Sequence, residues 1–577
     1  MAVNACMLGI WSVSESILPA SSLCSHPFQY LENCNAEIAL SPGNRESRVR
    51  SDRAYHYRSC PKASASFTGL PSQLPRRVRP RTGTAGGEDR LSALPDDLIR
   101  LIVRRLDTRT ALSTAVLARR WAHIPRDLPE LDFRVSDVLP PEYDRTVALR
   151  RRNMPHDTFL AEMLDRLMAR CEIDTITAFI DGITGFLEAG GGPADGDARR
   201  RAKTLRLDFF QAHNGGCVVD RLIAAVVGAW GVEDLEVVAR QASCHVLQAP
   251  PYRFPHDHDC LKDGLRSLTL GNYCTLPPLH SYGALTTLVL RDMAASTPVD
   301  VYQRVFTECT RLQVLHLISC CCAQDYVVVD ASCSELRELI LDQCKFMVIE
   351  LRHLPMLVSL ACCLTDTKRL IFGSVPSLMH TNLTFAIESW IIPKRCTDFF
   401  SRFIGVSPTM TNLILRFAGL RRWMVPTPPA KPLLNLKKLL VADLPANWNI
   451  TWPRGLLLAA PSLEVLHIHV PCSEEEPTYG SLRMSSLEAL QRHHCLRELA
   501  ITGFLRRHIW FLKYVVSVCT SLQRVILLKD DGHVRYNGLW DWEMIGQQAC
   551  PWSNDDELVV RRIIKSGCRP LVEVTLG

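Results

Sequence analysis

DRLSALPDDLIRLIVRRLDTRTALSTAVLARRWAHIPRDLPELDF, residues 89–133, packs three short helical signals into the length of one small module and ends them on Arg119-Arg120-Trp121. Pro95 suits the first position of a helix, Asp96 and Asp97 follow where negative charge meets the positive helix end, and Arg104 and Arg105 stand in the last turn. Leu94, Leu98, Leu101, Ile102 and Leu106 recur at three- and four-residue steps, which predicts one apolar helix face. A second helix is predicted from Thr108, a candidate N-cap, carrying Leu112, Ala115 and Val116 into Leu117 and Trp121. Helices this short bury too little surface to stand alone, so the unit calls for a partner that completes its core.

Helical hairpins of this kind occur inside many larger domains. Here, though, Leu94-Pro95-Asp96-Asp97-Leu98, Leu106, Val116-Leu117 and Arg119-Arg120-Trp121 follow one another without a gap, in an order that resembles an F-box. The resemblance implies a three-helix module that binds the Skp-type adaptor of an SCF (Skp–cullin–F-box) ubiquitin ligase and, through it, cullin. It places the adaptor contacts at Leu94, Pro95, Leu98, Val116, Leu117 and Trp121.

Downstream, a Leu-x-x-Leu-x-Leu pattern recurs. It is read at Leu265/Leu268/Leu270, Leu285/Leu288/Leu290, Leu312/Leu315/Leu317 and Leu336/Leu339/Leu341. It returns at Leu436/Leu439/Val441, Leu463/Leu466/Ile468, Leu496/Leu499/Ile501 and Leu522/Val525/Leu527, with weaker copies at Leu205/Leu207, Leu357/Leu360 and Leu413/Leu415. Each copy places two apolar side chains on one face of a short strand and a third just before it. No copy closes a core until a neighbour stacks on it, which predicts a solenoid. Cys320 and Cys344 fall where such a repeat takes Asn or Cys, a buried place that satisfies backbone groups at the turn. The copies resemble plant-type leucine-rich repeats, and CLRELAITGF to VILLK, residues 495–529, resembles the FBD region that closes many plant F-box/leucine-rich proteins. An α/β domain whose strands happen to begin with leucine is the alternative.

Composition sets bounds on function. The 577 residues exceed one ordinary domain, and 47% hydrophobic with 22% charged residues suits a folded chain with a large core. A net charge of +6 over this length calls for neither nucleic acid nor an anionic membrane, and no run of about 18 uncharged apolar residues predicts a span. The 23 cysteines lie among leucine-rich segments, as buried thiols do, and point to a reducing compartment, cytoplasm or nucleus. The first 88 residues differ from the rest: no Lys or Arg up to Leu40, then an Arg- and Ser-rich stretch from Arg45 to Arg81, read as a disordered leader with an organelle transit peptide as the alternative.

Catalytic signatures are missing from the sequence: there is no GxxxxGK[ST], GxGxxG, GxSxG or HExxH. His256, His258 and Cys260, and likewise His493, His494 and Cys495, lack a second ligand pair at finger-like spacing and are read as a loop and a repeat edge rather than as zinc sites. No cofactor or metal is implied, and no enzyme. The expected fold is α/β, a short three-helix F-box followed by a leucine-rich-repeat solenoid, a right-handed α/β horseshoe. Its parts are a leader (1–88), the F-box (89–135), a helical connector with a Gly-rich loop (136–204), the solenoid (205–480) and FBD-like C-terminal repeats (481–577). The expected function is substrate recognition for an SCF-type ligase, with an unknown protein as target; a non-ligase repeat scaffold is the alternative. The target is expected on the strand face opposite the leucines, at Arg291, His316, Asp342, Arg416, His467 and His469.

Overall fold

The computed structural model describes residues 94–113, 128–152, 158–190, 202–212, 216–243, 250–255, 259–322, 326–346, 348–363, 370–386, 408–418, 432–444, 448, 451–471, 492–529, 533–546, 552–567 and 572–577. Contacts divide the chain into Met1–Gly87 and Glu88–Gly577, and every described residue belongs to the second unit.

The described residues build one 15-stranded sheet, parallel throughout. It runs from Glu130–Arg134 through Thr204–Gln211, Asp234–Gln241, Ser267–Asn272, Thr287–Arg291, Val314–Ile318 and Glu338–Asp342. It continues through Ser359–Cys363, His380–Ala386, Asn412–Ala418, Lys438–Ala442, Val465–His469, Glu498–Thr502 and Arg524–Leu528 to Glu573–Leu576. Register makes the stack a solenoid. Leu268 faces Leu288, Leu288 faces Leu315, Leu315 faces Leu339 and Leu339 faces Leu360, while Leu270, Leu290, Leu317, Leu341 and Cys362 form a second row two residues on. Both rows are buried, together with Leu265, Leu285, Leu312 and Leu336 just ahead of their strands. Strand periodicity sends the intervening side chains to the opposite, open face.

Every leucine-patterned copy read from the sequence lies on or just before a strand of this sheet. Four strands lay outside the copies named from the sequence, among them Asp234–Gln241 with Leu235 and Val237. Glu130–Arg134 offers Leu131 and Phe133, His380–Ala386 has Thr381 in register with Leu360 and Leu413, and Glu573–Leu576 closes the far edge. Helices such as Gly216–Trp230, Val299–Glu308 and Ile509–Val518 cover the leucine side. So does a three-stranded sheet of Tyr326–Asp330, Val348–His353 and Leu370–Ser374, whose buried residues join the same core.

The N-terminal module is welded to this stack. α1 (Asp96–Val103) turns Ile99 and Val103 into the solenoid core, next to Leu131 of the first strand. Pro95 is the N-cap rather than the first helical residue. At α2 (Thr108–Ser113) the cap is Asp107, which accepts the Thr110 N–H at 2.8 Å. Thr108, the residue expected to cap, instead accepts the Asp132 N–H at 2.8 Å and so ties α2 to the first strand. After α3 (Glu142–Arg152), the long α4 (Thr158–Gly190) lays Phe186 edge-on to Phe133, 5.2 Å between centroids, and Phe179 on Phe209 at 6.2 Å. Glu172 of α4, fully buried, accepts the Tyr143 hydroxyl at 2.7 Å and the Ser243 N–H at 3.0 Å. A buried carboxylate is tolerable only when its lone pairs are filled in this way.

Turns repeat as faithfully as strands. Asn272, Asp292, Ser319, Gln343, Asp443 and Gly503 close their strands in the left-handed region, φ 52° to 63°. Cys320 then donates its thiol hydrogen to Leu290 O at 3.3 Å, and Cys344 donates to Leu317 O at 3.1 Å, each reaching one repeat back as the sequence led us to expect. Gly503 is the closure that admits no side chain: φ is 63° and an added Cβ would collide with the Val470 carbonyl. Gly503→Ala is expected to lower stability by about 1–3 kcal/mol, read as a lower urea midpoint at unchanged slope. Gly283→Ala, where an added methyl meets nothing, should shift stability by no more than about 0.5 kcal/mol. Equal midpoints for the two variants would refute the account of this turn.

Candidate functional site

Two surfaces offer themselves, the outer side of α1 and the open face of the sheet. On α1 the apolar face read from the sequence splits in two. Leu94 and Leu106 pack at the margin of the core, whereas Leu98, Leu101 and Ile102 stay 46%, 55% and 39% exposed. The core takes Ile99 and Val103 instead, because they point toward the first strand and its neighbours. A helix with apolar residues on both sides uses one to hold the fold and leaves the other without cover. Pro95 is exposed at the start of this uncovered side. Val116, Leu117 and Trp121 lie outside the described residues.

The open face changes character along the stack. At its N-terminal end it is a lattice of alternating charge. Arg206 lies 3.6 Å from Glu130 and 3.5 Å from Glu236, Arg291 lies 3.5 Å from Glu236, and Arg240 grips Asp208 through two nitrogens. Further on, His316 Nε2 meets Glu338 at 2.8 Å, and burial pushes the Asp342 carboxyl above its ordinary range.

Toward the C-terminal end the open face is not open. An antiparallel hairpin, His533–Asn537 with Asp541–Ile545, lies across it. Asn382 and Asn412 donate to the carbonyls of Leu539 and Trp540 at 2.9 and 2.6 Å. Trp542 packs with Ile414, Leu440 and Ala442 and donates its indole N–H to His467 Nδ1 at 2.9 Å. An indole only donates, so His467 carries its hydrogen on Nε2, which meets Glu498 at 2.7 Å. The Arg416 guanidinium lies 4.8 Å above the Tyr536 ring and binds Asp443 at 3.2 Å. The sequence carried a signal for this element: Asn537-Gly538 between alternating Val534/Tyr536 and Trp542/Met544.

The six positions expected to hold the target therefore divide. Arg291 is exposed and His316 and Asp342 are partly so. His467 and His469, 7% and 5% exposed, are not the accessible side chains the strand alternation suggested. The hairpin covers His467 and Arg416, and His469 is drawn to Asp443, 3.2 Å away. Burial pushes the Asp443 carboxyl up, but His469 and Arg416 outweigh it and hold the group below its usual value. His493 is buried in a structural role, bonded to Ala460 O and the Leu496 N–H, while His256 and His258 lie outside the described residues. Among the described residues no three His, Cys, Asp or Glu side chains gather as a metal site would require, and no helix is long and apolar enough to cross a membrane.

Residues 91–132 match the F-box domain, and residues 198–553, more than half of the chain, match the At1g61320/AtMIF1 LRR domain family. The chain belongs to this leucine-rich-repeat family and carries an F-box. Its relatives in Arabidopsis thaliana include the F-box/LRR-repeat protein At3g03360, 49% identical over 45 residues (8% of this chain, 9% of the relative). The F-box/LRR-repeat protein At4g14103 is 32% identical over 85 residues (15% and 20%), and the F-box/FBD/LRR-repeat protein At5g22670 is 42% identical over 50 (9% and 11%). The alignments span a quarter or less of each relative's length. The repeat match reaches residue 553, well into the stretch assigned from sequence to FBD-like repeats.

Two histidine–carboxylate pairs on the repeat sheet make its stability sensitive to acid. The hydrogen bond from His467 holds the Glu498 carboxyl below its ordinary 4.5, and that from His316 does the same for Glu338. A carboxyl whose folded pKa is depressed stabilises the fold fully above its unfolded value, and that contribution is lost as pH falls through the folded value. The urea midpoint is thus expected to fall as pH drops below the ordinary carboxyl value of 4.5 toward the lower folded values, and Glu498→Gln should flatten part of that fall. An identical acid profile in the variant would remove Glu498 from the explanation.

Proposed function

We propose that this protein is the substrate-recognition subunit of an SCF-type ubiquitin ligase. The observation that carries the proposal is the uncovered row Leu98, Leu101 and Ile102 on a helix whose other side is locked into the repeat core. An apolar row held rigidly at the surface suits a partner that completes a helical module, and the F-box match makes a Skp-type adaptor that partner. Cullin would be reached through the adaptor, and the chain itself would contribute no catalytic group. A target held on the repeat sheet would be presented at a fixed offset from the adaptor, because α1, α2 and the first strand share one core. Cytoplasm or nucleus is the proposed location, in keeping with the cysteines of the described residues, which are mostly buried or half-buried and not joined in disulfides.

Leu98→Ala with Leu101→Ala tests this with little risk to the fold, since both side chains are exposed and alanine favours a helix. The double variant is expected to bind the purified Skp-type adaptor at least about tenfold more weakly, the equivalent of about 1.4 kcal/mol, at an unchanged melting temperature. Undiminished binding would remove these residues from the contact. Failure of the unmodified chain to bind the adaptor would leave the repeat-scaffold reading in its place.

A further inference from the structure

The hairpin is held by groups that read peptide backbone. Asn382 and Asn412 each turn an amide toward a main-chain carbonyl of the hairpin turn, while Tyr536, Trp540 and Trp542 are engaged through their rings, Trp540 beside His380 and hydrogen-bonded to Glu338. Lys438 reaches Asp541 at 3.8 Å. None of these contacts requires the bound segment to belong to the same chain.

The fit is also incomplete. Asn382 Oδ1, Asn412 Oδ1 and His380 Nδ1, beside Trp540, are buried with no hydrogen-bond partner among the described residues. Turning either amide over would set its oxygen against the hairpin carbonyl, acceptor against acceptor, and lose the bond that is made. The hairpin turn offers carbonyls at this place, where an extended segment would also offer N–H donors. Burying an acceptor without a donor is costly, so a ligand that supplies the donors gains over the hairpin at these positions. Among the described residues the hairpin pairs by strand hydrogen bonds with itself alone, and a lone two-stranded ribbon is marginal in water. Its hold rests on the side-chain contacts just named.

We propose that the open face around Asn382, Asn412, Ile414, Leu440 and His467 is a peptide-recognition site which the chain's own hairpin occupies, and that a target protein enters as an extended segment bearing an indole or similar ring, displacing residues 533–545. The partner is thereby defined chemically: main-chain N–H groups over the two asparagines, and a ring with a hydrogen-bond donor over His467. The identification of that partner as a ligase target rests on the substrate-recognition reading above; the displacement itself does not.

The probe is a peptide of residues 533–545 closed by a disulfide between cysteines added at its ends, which preorganises the ribbon. Its binding is measured on the full-length chain. The unmodified protein is expected to bind it weakly, because the tethered copy competes at high effective concentration. Trp542→Ala should bind it at least tenfold more tightly, and adding His467→Ala should reverse most of that gain. Equal binding by the unmodified and Trp542→Ala chains, or binding by neither, would overturn the proposal. Hydrogen exchange on the unmodified chain gives an independent reading that no folding defect can obscure. Amides of 533–545 should exchange at least a hundredfold faster than those of 438–442 and 465–469, whereas equal protection would make the hairpin a fixed part of the fold and sink the idea. Adaptor binding by the same proteins reports separately on the ligase reading.

Discussion

The in-register stacking of leucines across parallel strands is the constraint on which everything else in this molecule depends. A single repeat has three apolar side chains and nothing to bury them against. Leu315 disappears from water only because Leu288 and Leu339 flank it at the same level. A slip of one residue in any strand would send its leucines to the open face and its polar residues into the core. The turns guard against that slip. A left-handed residue closes the strand, and in three of the repeats a buried cysteine follows it, its thiol bonded to the preceding repeat's carbonyl. Burial pushes the Cys274 thiol up to about 11, so it stays protonated and serves as donor.

Because leucines monopolise one face, the other is free to vary, and the protein divides it into two territories. The N-terminal strands carry alternating acids and arginines that satisfy one another across neighbouring strands. Exposed ion pairs of this kind add little stability, so their arrangement leaves them available to a partner of complementary charge. The C-terminal strands carry amides, small apolar residues and a histidine, and this is where the hairpin lies. Charge marks one territory and hydrogen-bonding capacity the other, on a single continuous sheet.

The F-box is not a bead on a string. Ile99 and Val103 of α1 are part of the solenoid core, Thr108 caps a strand hydrogen bond, and α4 returns to lay Phe186 against Phe133 and Trp230. A module too small to be stable alone is completed on one side by the repeats, and the apolar row on its other side stays uncovered. The distance between this row and the open face of the sheet is then a property of the fold rather than of a linker.

How much of this was legible from residues alone follows from which interactions are local. The leucine period was legible, since each copy carries its own spacing, and so were the F-box pattern and the turn cysteines Cys320 and Cys344. The strand at His380–Ala386 was not, because Thr381 holds a leucine position only by virtue of Leu360 and Leu413 beside it. Nor was the side of α1 that faces inward, for Leu98 and Ile99 are equally apolar and only the position of the first strand chooses between them. His467 shows the same limit. Strand alternation correctly put it on the face away from the leucines, but whether that face meets water depended on residues 533–545, which approach from more than sixty positions away. Sequence by itself determined the repeat, its period and the side that each residue of a repeat strand takes. Tertiary structure decided which of those sides is covered, since burial is settled by contacts between segments distant in the chain, and no local pattern encodes them.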